Sequence, residues 1–305
     1  MNENTEEDIR STIEDHLKTC GDAFVEIGFY GGSFTGIPAQ EQEWYLEIGY
    51  SYVRAGKVKQ MRISTRPDYI NEKILDLLVK YGVKTIELGA QSLDDEVLKA
   101  SNRGHSIETV EQAAKMIKAR GISLGIQTMI GLPNDSKEKA IITAQKVVLM
   151  APDIVRIYPT LVIENTYLQK MYLDGRYKPL TIEEAVDICA DLLAIYEANN
   201  INVIRIGLQP TDNISETGEV EAGPFHPAFR QLVQSRLLLN KMKKYIIINN
   251  LRNLNDIIIE CKQQDISSII GQKRINLITL KREFDYNNIT VKINNNIELF
   301  NILSA

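Results

Sequence analysis

Residues 29–36 combine two adjacent glycines with hydroxyl side chains, directly after an apolar segment. The sequence there is FYGGSFTG, in which Gly31 and Gly32 precede Ser33. Glycine adopts backbone angles that a Cβ forbids, and it lets a ligand approach the main chain closely. A glycine pair at the end of a strand is also a common turn. The segment is therefore either a plain strand-ending turn or a main-chain binding site for a ligand.

Polar side chains also lie at or after the ends of other predicted strands. They are Ser64, Gln91, Arg103 and Gln127. A guanidinium group can hold a carboxylate with two parallel hydrogen bonds, and an amide can both donate to hydroxyl groups and accept from them. Active sites of parallel α/β barrels lie at the C-terminal ends of the strands. The set therefore predicts a site for a zwitterionic ligand with hydroxyl groups, although Gln127 is alternatively a hydrogen-bonded amide of the core.

Six apolar segments alternate with helical patterns between residues 4 and 207. The strands and helices that they predict must position the polar side chains at the strand ends. The predicted strands cover residues 24–29, 60–65, 83–89, 122–130, 153–159 and 201–207. The predicted helices cover residues 4–19, 38–55, 71–81, 94–101, 106–120, 136–150 and 181–199. This alternation is typical of a parallel sheet. Without a topological break it favours an α/β fold with a partial (β/α)6 barrel, which we expect over residues 1–222.

The pattern changes after Gly223. A helical pattern runs from residue 228 to 243, and residues 289–302 alternate apolar and polar side chains around three consecutive asparagines. Such alternation around a polar turn predicts a β-hairpin. We therefore expect a small α+β domain over residues 223–305.

Composition restricts the function more weakly than the motifs do. The chain has 305 residues and a net charge of −5, which gives no general electrostatic case for nucleic-acid binding. It has no apolar run long enough for a transmembrane helix, and its acidic N-terminus is unlike a signal peptide, so we expect a cytoplasmic protein. Its three cysteines, Cys20, Cys189 and Cys261, lack metal-ligand spacing.

The motifs between residues 22 and 235 resemble those of the radical S-adenosylmethionine enzymes. In chain order they are FYGGSFTG, RISTRPD, ELGAQS, SNRGH, QTMIGLP and RIYPTLV. The resemblance is strongest to the branch that holds the Elongator catalytic subunit, and oxygen-independent coproporphyrinogen oxidases are more distant relatives. It implies a partial barrel of the radical SAM type that binds S-adenosylmethionine across its strand ends.

The resemblance also implies roles for individual residues. The Gly31-Gly32 turn with Ser33 would meet the methionine amino group, and Ser64 occupies a methionine-facing position. Arg103 would pair with the methionine carboxylate. Gln91 matches a ribose-contacting glutamine, and Gln127 stands where a related branch has an aspartate for the ribose hydroxyls. The sequence assigns no catalytic residue and no metal ligand.

This sequence differs from the family at the binding site for the family's [4Fe–4S] cluster. Family members hold it with three clustered cysteines in the loop after the first strand, and such clusters require thiolate ligands. This sequence contains neither that strand nor the clustered cysteines. We expect a truncated copy of a cluster-containing enzyme. The alternative is a non-catalytic barrel without a cluster that serves as a scaffold for an adenosyl ligand or a partner.

For the full-length enzyme the resemblance implies reductive cleavage of S-adenosylmethionine to a 5′-deoxyadenosyl radical. The reductant would be a protein such as flavodoxin or ferredoxin. The substrate stays open, with uridine modification in tRNA as the activity that the Elongator branch suggests. We expect no membrane association.

Overall fold

Strands and helices alternate through residues 5–209 and 218–305, which this computed structural model describes. The strands are β1 (Glu26–Phe29), β2 (Gln60–Thr65), β3 (Val83–Gln91), β4 (Ser123–Ile130), β5 (Ile154–Pro159), β6 (Val162–Ile163), β7 (Asn202–Ile206), β8 (Val220–Ala222), β9 (Asp256–Cys261), β10 (Asn288–Ile293) and β11 (Phe300–Ser304). The helices are α1 (Glu6–Thr19), α2 (Ala39–Arg54), α3 (Glu72–Lys80), α4 (Asp95–Ala100), α5 (Ile107–Ala119), α6 (Lys137–Leu149), α7 (Tyr167–Leu173), α8 (Ile182–Ala198), α9 (Phe229–Ile248), α10 (Ile266–Ile270) and α11 (Ile275–Phe284).

The six predicted strands form one sheet in the order β1-β2-β3-β4-β5-β7. The first three neighbouring pairs run parallel. Strand β3 is buried along almost its whole length, as expected for a strand covered on both faces. The observed strand bounds agree with the predicted ones to within two residues. The predicted α/β class and its six-stranded parallel sheet are confirmed.

Side-chain caps explain where several helices begin. Thr5 and Asp8 form a capping box at the start of α1, and Thr181 and Glu184 form one at the start of α8. Ser106 accepts a hydrogen bond from the backbone of Thr109 at the start of α5. Such caps satisfy backbone N–H groups that have no partner within the helix. Within residues 5–209 and 218–305, no helix is both long and apolar enough to cross a membrane.

The chain divides into two compact units. Met1–Thr128 with Ile142–Arg156 form the first, and Met129–Ile141 with Ile157–Ala305 form the second. The first unit holds β1, β2 and β3 with their helices, together with all the predicted site residues. The second unit includes α8, α9 and the short antiparallel pair of β6 and β8, which the sequence did not predict.

The C-terminal strands correct one prediction. Strands β10 and β11 do not form a hairpin, because β9 lies between them in the order β10-β9-β11. Strand β10 pairs with β9 in parallel, whereas β11 pairs with β9 antiparallel. The hairpin was predicted from local alternation, which does not reveal that a strand from earlier in the chain takes the central position.

An apolar cluster fills the space between this three-stranded sheet and its helices. Helix α9 contributes Met242 and Ile246, β9 contributes Ile257 and Ile259, and α11 contributes Leu280. We propose that residues 223–305 are the small α+β domain expected from the sequence, with residues 1–222 as the barrel. A separate apolar core supports that boundary, since a domain has a core of its own.

Candidate functional site

One face of the sheet in the first unit carries polar and charged side chains. Along β2, the partly exposed Gln60, Arg62 and Ser64 alternate with buried residues. Since side chains of a strand alternate between its two faces, these three share one face. Glu87 on β3 and Gln127 on β4 are hydrogen-bonded to each other. They belong to the same polar cluster.

Glu87 is the centre of this polar cluster, and its side chain is 1% exposed. Its Oε1 accepts hydrogen bonds from Tyr30 Oη at 2.6 Å and from Arg156 Nη2 at 3.0 Å. Its Oε2 accepts one from Gln127 Nε2 at 3.0 Å. Arg62 Nη2 lies 2.8 Å from Oε1, and Arg156 Nε lies 2.5 Å from Oε2 as an ion-pair contact rather than an aligned hydrogen bond.

The surroundings of Glu87 keep it ionised. Burial alone would raise its pKa, but hydrogen bonds from Tyr30 and Gln127 and the charge of Arg156 lower the pKa below its ordinary value. Burial raises the pKa of Tyr30, and the hydrogen bond to Glu87 raises it further, so Tyr30 keeps its proton and donates a hydrogen bond to the carboxylate. The cluster therefore pairs a buried negative charge with two guanidinium groups, as buried charges require.

A glycine on β4 makes room for the Glu87 side chain. Glu87 and Gly125 are paired in the register of β3 and β4. A Cβ added to Gly125 would lie 2.7 Å from Glu87 Cγ and 3.1 Å from Ile154 Cγ1. Gly125 is thus required by close packing rather than by an unusual backbone angle.

Two of the predicted site residues contact each other. Gln127 Nε2 donates to Ser64 Oγ at 3.1 Å as well as to Glu87. Ser64 is also the register partner of Glu87, so the three side chains come from three adjacent strands. Gln127 is therefore hydrogen-bonded, as the core-amide alternative required, but it is also partly exposed.

The Gly31-Gly32 turn is exposed and borders a cavity of about 480 Å³. Gly31 has a φ of 100°, which L side chains rarely adopt. Among the described residues, no heavy atom lies within 4 Å of a Cβ added to either glycine. The cavity is lined by Tyr30, Gly31, Gly32 and Ser33 but not by the other predicted site residues. The cavity thus lies between this turn and α1, and the structure does not join it to the other predicted site residues.

Gln91 ends β3 in a strained conformation. Its φ is 64°, and the register between β3 and β4 shifts between Gly89 and Gln91. Bulges of this kind redirect a side chain and are frequent beside active sites, and strained backbone is frequent at functional positions. Gln91 thus leaves the regular alternation of the strand at the place where the sequence predicted a ligand contact.

Arg103 lies in the loop after α4, close to the end of β3. The loop contacts that end through His105 Nε2, which lies 3.2 Å from the carbonyl oxygen of Ala90. Burial lowers the pKa of Arg103, and the charge of Arg66 lowers it further. Arg66 itself pairs with Asp68 through two hydrogen bonds of 2.9 Å. The charge of Arg66 is thus balanced by Asp68, and Arg103 lies close enough to Arg66 for their two charges to interact.

The described residues contain no group of three or more histidine, cysteine, aspartate or glutamate side chains arranged to hold a metal ion. Cys189 and Cys261 are buried, and burial raises the pKa of both thiols. Cys20 lies in the loop after α1. These cysteines do not fit the three thiolate ligands of a [4Fe–4S] cluster.

The sequence reasoning missed the cluster around Glu87. Arg62, Arg156 and Tyr30 were not among the predicted site residues. One signal was available, because Glu87 is the only acidic residue of the predicted strand VKTIELG and lies between Ile86 and Leu88. A buried acid requires partners, and arginines on the neighbouring strands could supply them.

Two family models match this chain in succession. The model described as Radical SAM superfamily matches residues 2–147, and the model described as Radical_SAM C-terminal domain matches residues 152–238. The chain belongs to the radical SAM superfamily. The family predicted from the motifs is thereby confirmed, and the two matches together span the segment of residues 22–235 that carries those motifs.

Similar proteins place the chain in the Elongator-like branch of the radical SAM superfamily. It is 33% identical over 187 residues to a tRNA uridine(34) acetyltransferase of Methanocaldococcus infernus, covering 54% of this chain and 34% of that protein. It is 32% identical over 212 residues to Elongator complex protein 3 of Saccharomyces cerevisiae, covering 62% of this chain and 38% of that protein. The chain thus spans little more than a third of the length of these two relatives.

A solved structure supports the same fold. The chain is similar to the archaeal Methanocaldococcus infernus Elp3 with N-terminus deletion (1–46), with a TM-score of 0.64 and 26% identity. The match covers 81% of this chain and 60% of that chain. The partial barrel expected for a radical SAM protein is confirmed by this likeness.

The residues at the strand ends fit S-adenosylmethionine, the ligand that the family name implies. Main-chain groups are accessible at the Gly31-Gly32 turn, and the side chain of Gln127 is partly exposed. Arg103 supplies a positive charge in the loop that contacts the end of β3. A zwitterionic amino acid group and ribose hydroxyls require such donors, acceptors and charge.

Proposed function

We propose that this chain binds S-adenosylmethionine at the C-terminal ends of β1 to β4, as part of a radical SAM enzyme. The observation that carries the proposal is the contact between the SNRGH loop and the end of β3, through His105 and Ala90. This contact holds Arg103 near the strand end that carries the redirected Gln91. A cationic group and an amide at one strand end match the two polar parts of the ligand.

Each predicted residue has a role in this proposal. The turn formed by Gly31, Gly32 and Ser33 binds the methionine amino group, and Arg103 binds the methionine carboxylate. Ser64 lies beside the methionine moiety. Gln91 and Gln127 bind the ribose hydroxyls. The main-chain turn gives close approach, whereas the guanidinium group gives the charge-assisted contact.

Binding of S-adenosylmethionine by isothermal titration calorimetry tests the proposal. We expect Arg103→Ala to weaken binding by about ten- to a hundredfold, because a hydrogen bond to a charged group contributes about 1.5–3 kcal/mol. Gln127→Ala should cost less, since a neutral hydrogen bond contributes about 0.5–1.5 kcal/mol. Arg120→Ala is the matched control, because Arg120 pairs with Glu72 and Asp76 instead. Unchanged affinity in Arg103→Ala would show that the assignment at SNRGH is wrong.

The activity of the whole enzyme forms a second part of the proposal. We propose that the radical SAM enzyme to which this chain corresponds modifies a uridine of tRNA and takes electrons from a protein such as flavodoxin or ferredoxin. The names of the similar proteins support the tRNA substrate. Since the described residues do not fit a [4Fe–4S] cluster, no step of the radical reaction is assigned to them.

An anticodon stem-loop RNA tests the substrate class. Fluorescence anisotropy should show saturable binding of an RNA with uridine at position 34, which weakens as salt is raised because phosphate contacts release counterions. The same RNA with cytidine at that position is the control and should bind more weakly. Equal binding of the two RNAs would contradict recognition of the uridine, and no binding at low salt would favour a scaffold that binds the adenosyl ligand alone.

A further inference from the structure

The side-chain amide of Gln127 has a defined orientation, because its nitrogen contacts Glu87 and Ser64. Nε2 donates to Glu87 Oε2 at 3.0 Å and to Ser64 Oγ at 3.1 Å. An ionised carboxylate can only accept hydrogen bonds, so the group of Gln127 that faces Glu87 must be the NH2 group. The same contact with the carbonyl oxygen would set two acceptors against each other.

Both protons of this NH2 group are therefore used within the protein. An amide nitrogen carries two protons, and Glu87 and Ser64 each take one. The carbonyl oxygen Oε1 receives no hydrogen bond from any residue in the described part of the chain. Gln127 is partly exposed, so Oε1 is the atom that it can offer to a ligand.

Glu87 cannot rotate away from this contact. Tyr30 and Arg156 donate to its other oxygen, and Arg62 lies beside it. Gly125 leaves just enough space for its Cγ. The carboxylate that orients Gln127 is thus itself held from several directions.

We infer that Glu87 and Ser64 are positioning residues that make Gln127 a pure hydrogen-bond acceptor, so that position 127 selects a ligand hydroxyl that donates. This inference rests on the proposed function, because it takes the ribose diol of S-adenosylmethionine as the donor. It explains how a glutamine can do what an aspartate does, since in both cases the ligand meets an oxygen atom. Ser64 then acts on the ribose through Gln127, in addition to its place beside the methionine moiety.

Nuclear magnetic resonance of the full chain tests the orientation without a ligand. We expect both side-chain NH2 protons of Gln127 to exchange with solvent slowly. In Ser64→Ala one of the two should exchange faster, while the proton bonded to Glu87 stays protected. Gln60 provides an internal comparison, because its Nε2 donates to Glu26 alone. Two rapidly exchanging protons in the parent chain would overturn the inference.

Fluorinated ligands test the acceptor role. Fluorine cannot donate, so we expect at least one of 2′-fluoro-2′-deoxy- and 3′-fluoro-3′-deoxy-S-adenosylmethionine to bind about two- to tenfold more weakly than S-adenosylmethionine. Gln127→Met should bind S-adenosylmethionine more weakly and should no longer distinguish it from the affected analogue. If the parent chain binds all three ligands equally, or if Gln127→Met keeps the preference, Gln127 is not the acceptor.

The two experiments separate the inference from the proposed function. Protected amide protons without binding of S-adenosylmethionine would refute the ribose as the occupant and the proposed function with it. Binding of S-adenosylmethionine with unprotected amide protons would refute the orienting role of Glu87 and Ser64 alone. Glu87→Gln is a further variant, in which a folded chain should lose the hydroxyl preference because an amide can face Gln127 either way round.

Discussion

Two regions of this chain differ in the chemistry of the side chains that they bury. Around Glu87, in the first unit, ion pairs and hydrogen bonds join five side chains from five segments of the chain. Around Ile259, in the second unit, the side chains between the three-stranded sheet and its helices are almost all hydrocarbon. The arrangement of side chains in the first region depends on the direction of each hydrogen bond and ion pair. In the second region it depends on the shape and volume of the side chains.

This difference separates residues whose directions are fixed by polar contacts from residues that pack by shape. Apolar packing has no preferred direction and tolerates rearrangement, whereas a buried carboxylate requires each donor in place. A polar cluster can therefore define which atoms face a ligand. Three substitutions and a change of pH test this difference between the two regions, in order of decreasing effect on stability.

Glu87→Gln should destabilise the first unit by about 3–5 kcal/mol, because it removes the buried negative charge that the partly buried Arg62 and Arg156 share. Urea unfolding monitored by circular dichroism measures the loss. Glu14→Gln is the control, since the pair of Glu14 with Lys57 is exposed, and we expect no measurable change there. Equal effects of the two substitutions would show that the cluster does not depend on charge.

Ile259→Ala should destabilise the C-terminal sheet by about 2–5 kcal/mol, since it leaves a cavity at a fully buried position of the central strand β9. Hydrogen exchange of residues 256–261 localises the effect. Ile258→Ala on the same strand is the matched control and should cost less, because Ile258 is partly exposed. If Ile259→Ala also changed the amide protection of Gln127, the two regions would not be independent.

Gly125→Ala should cost about 1–3 kcal/mol, because the new methyl group would overlap Glu87 Cγ. Gly32→Ala meets open space among the described residues, so its stability should match that of the parent chain. Thermal unfolding compares the two variants. In calorimetry, Gly32→Ala should instead weaken S-adenosylmethionine binding. A stable Gly125→Ala variant would mean that the Glu87 side chain can move aside.

Lowering the pH should reduce the stability that the polar cluster contributes, by less than the three substitutions above. The pKa of folded Glu87 is lowered, so the unfolded chain binds more protons as the pH falls below the ordinary glutamate value of about 4.3. Stability from this group is therefore complete above that pH and is lost as the pH falls towards the folded pKa. Urea midpoints between pH 7 and pH 3 should fall less steeply in Glu87→Gln. Parallel curves for the variant and the parent chain would contradict this.

Local sequence signals predicted most of the fold but only part of the site. Strand β3 was found because its apolar run is bounded by turns, and α5 because Ser106 caps it. The failed hairpin at 289–302 depended on β9, whose pairing with β10 and β11 is non-local. Ser64 and Gln127 were predicted as polar residues of the strand ends. Their link through Glu87 depends on strand register, which alternation within one strand does not determine.

The number of contacts at Glu87 has a consequence for proton transfer. A carboxylate offers about four lone-pair positions, and here Oε1 receives three contacts and Oε2 receives two. These contacts occupy most of the directions from which Glu87 could take a proton from a bound molecule, and its lowered pKa makes it a weaker base than an ordinary glutamate. Glu87 is therefore poorly suited to act as a general base.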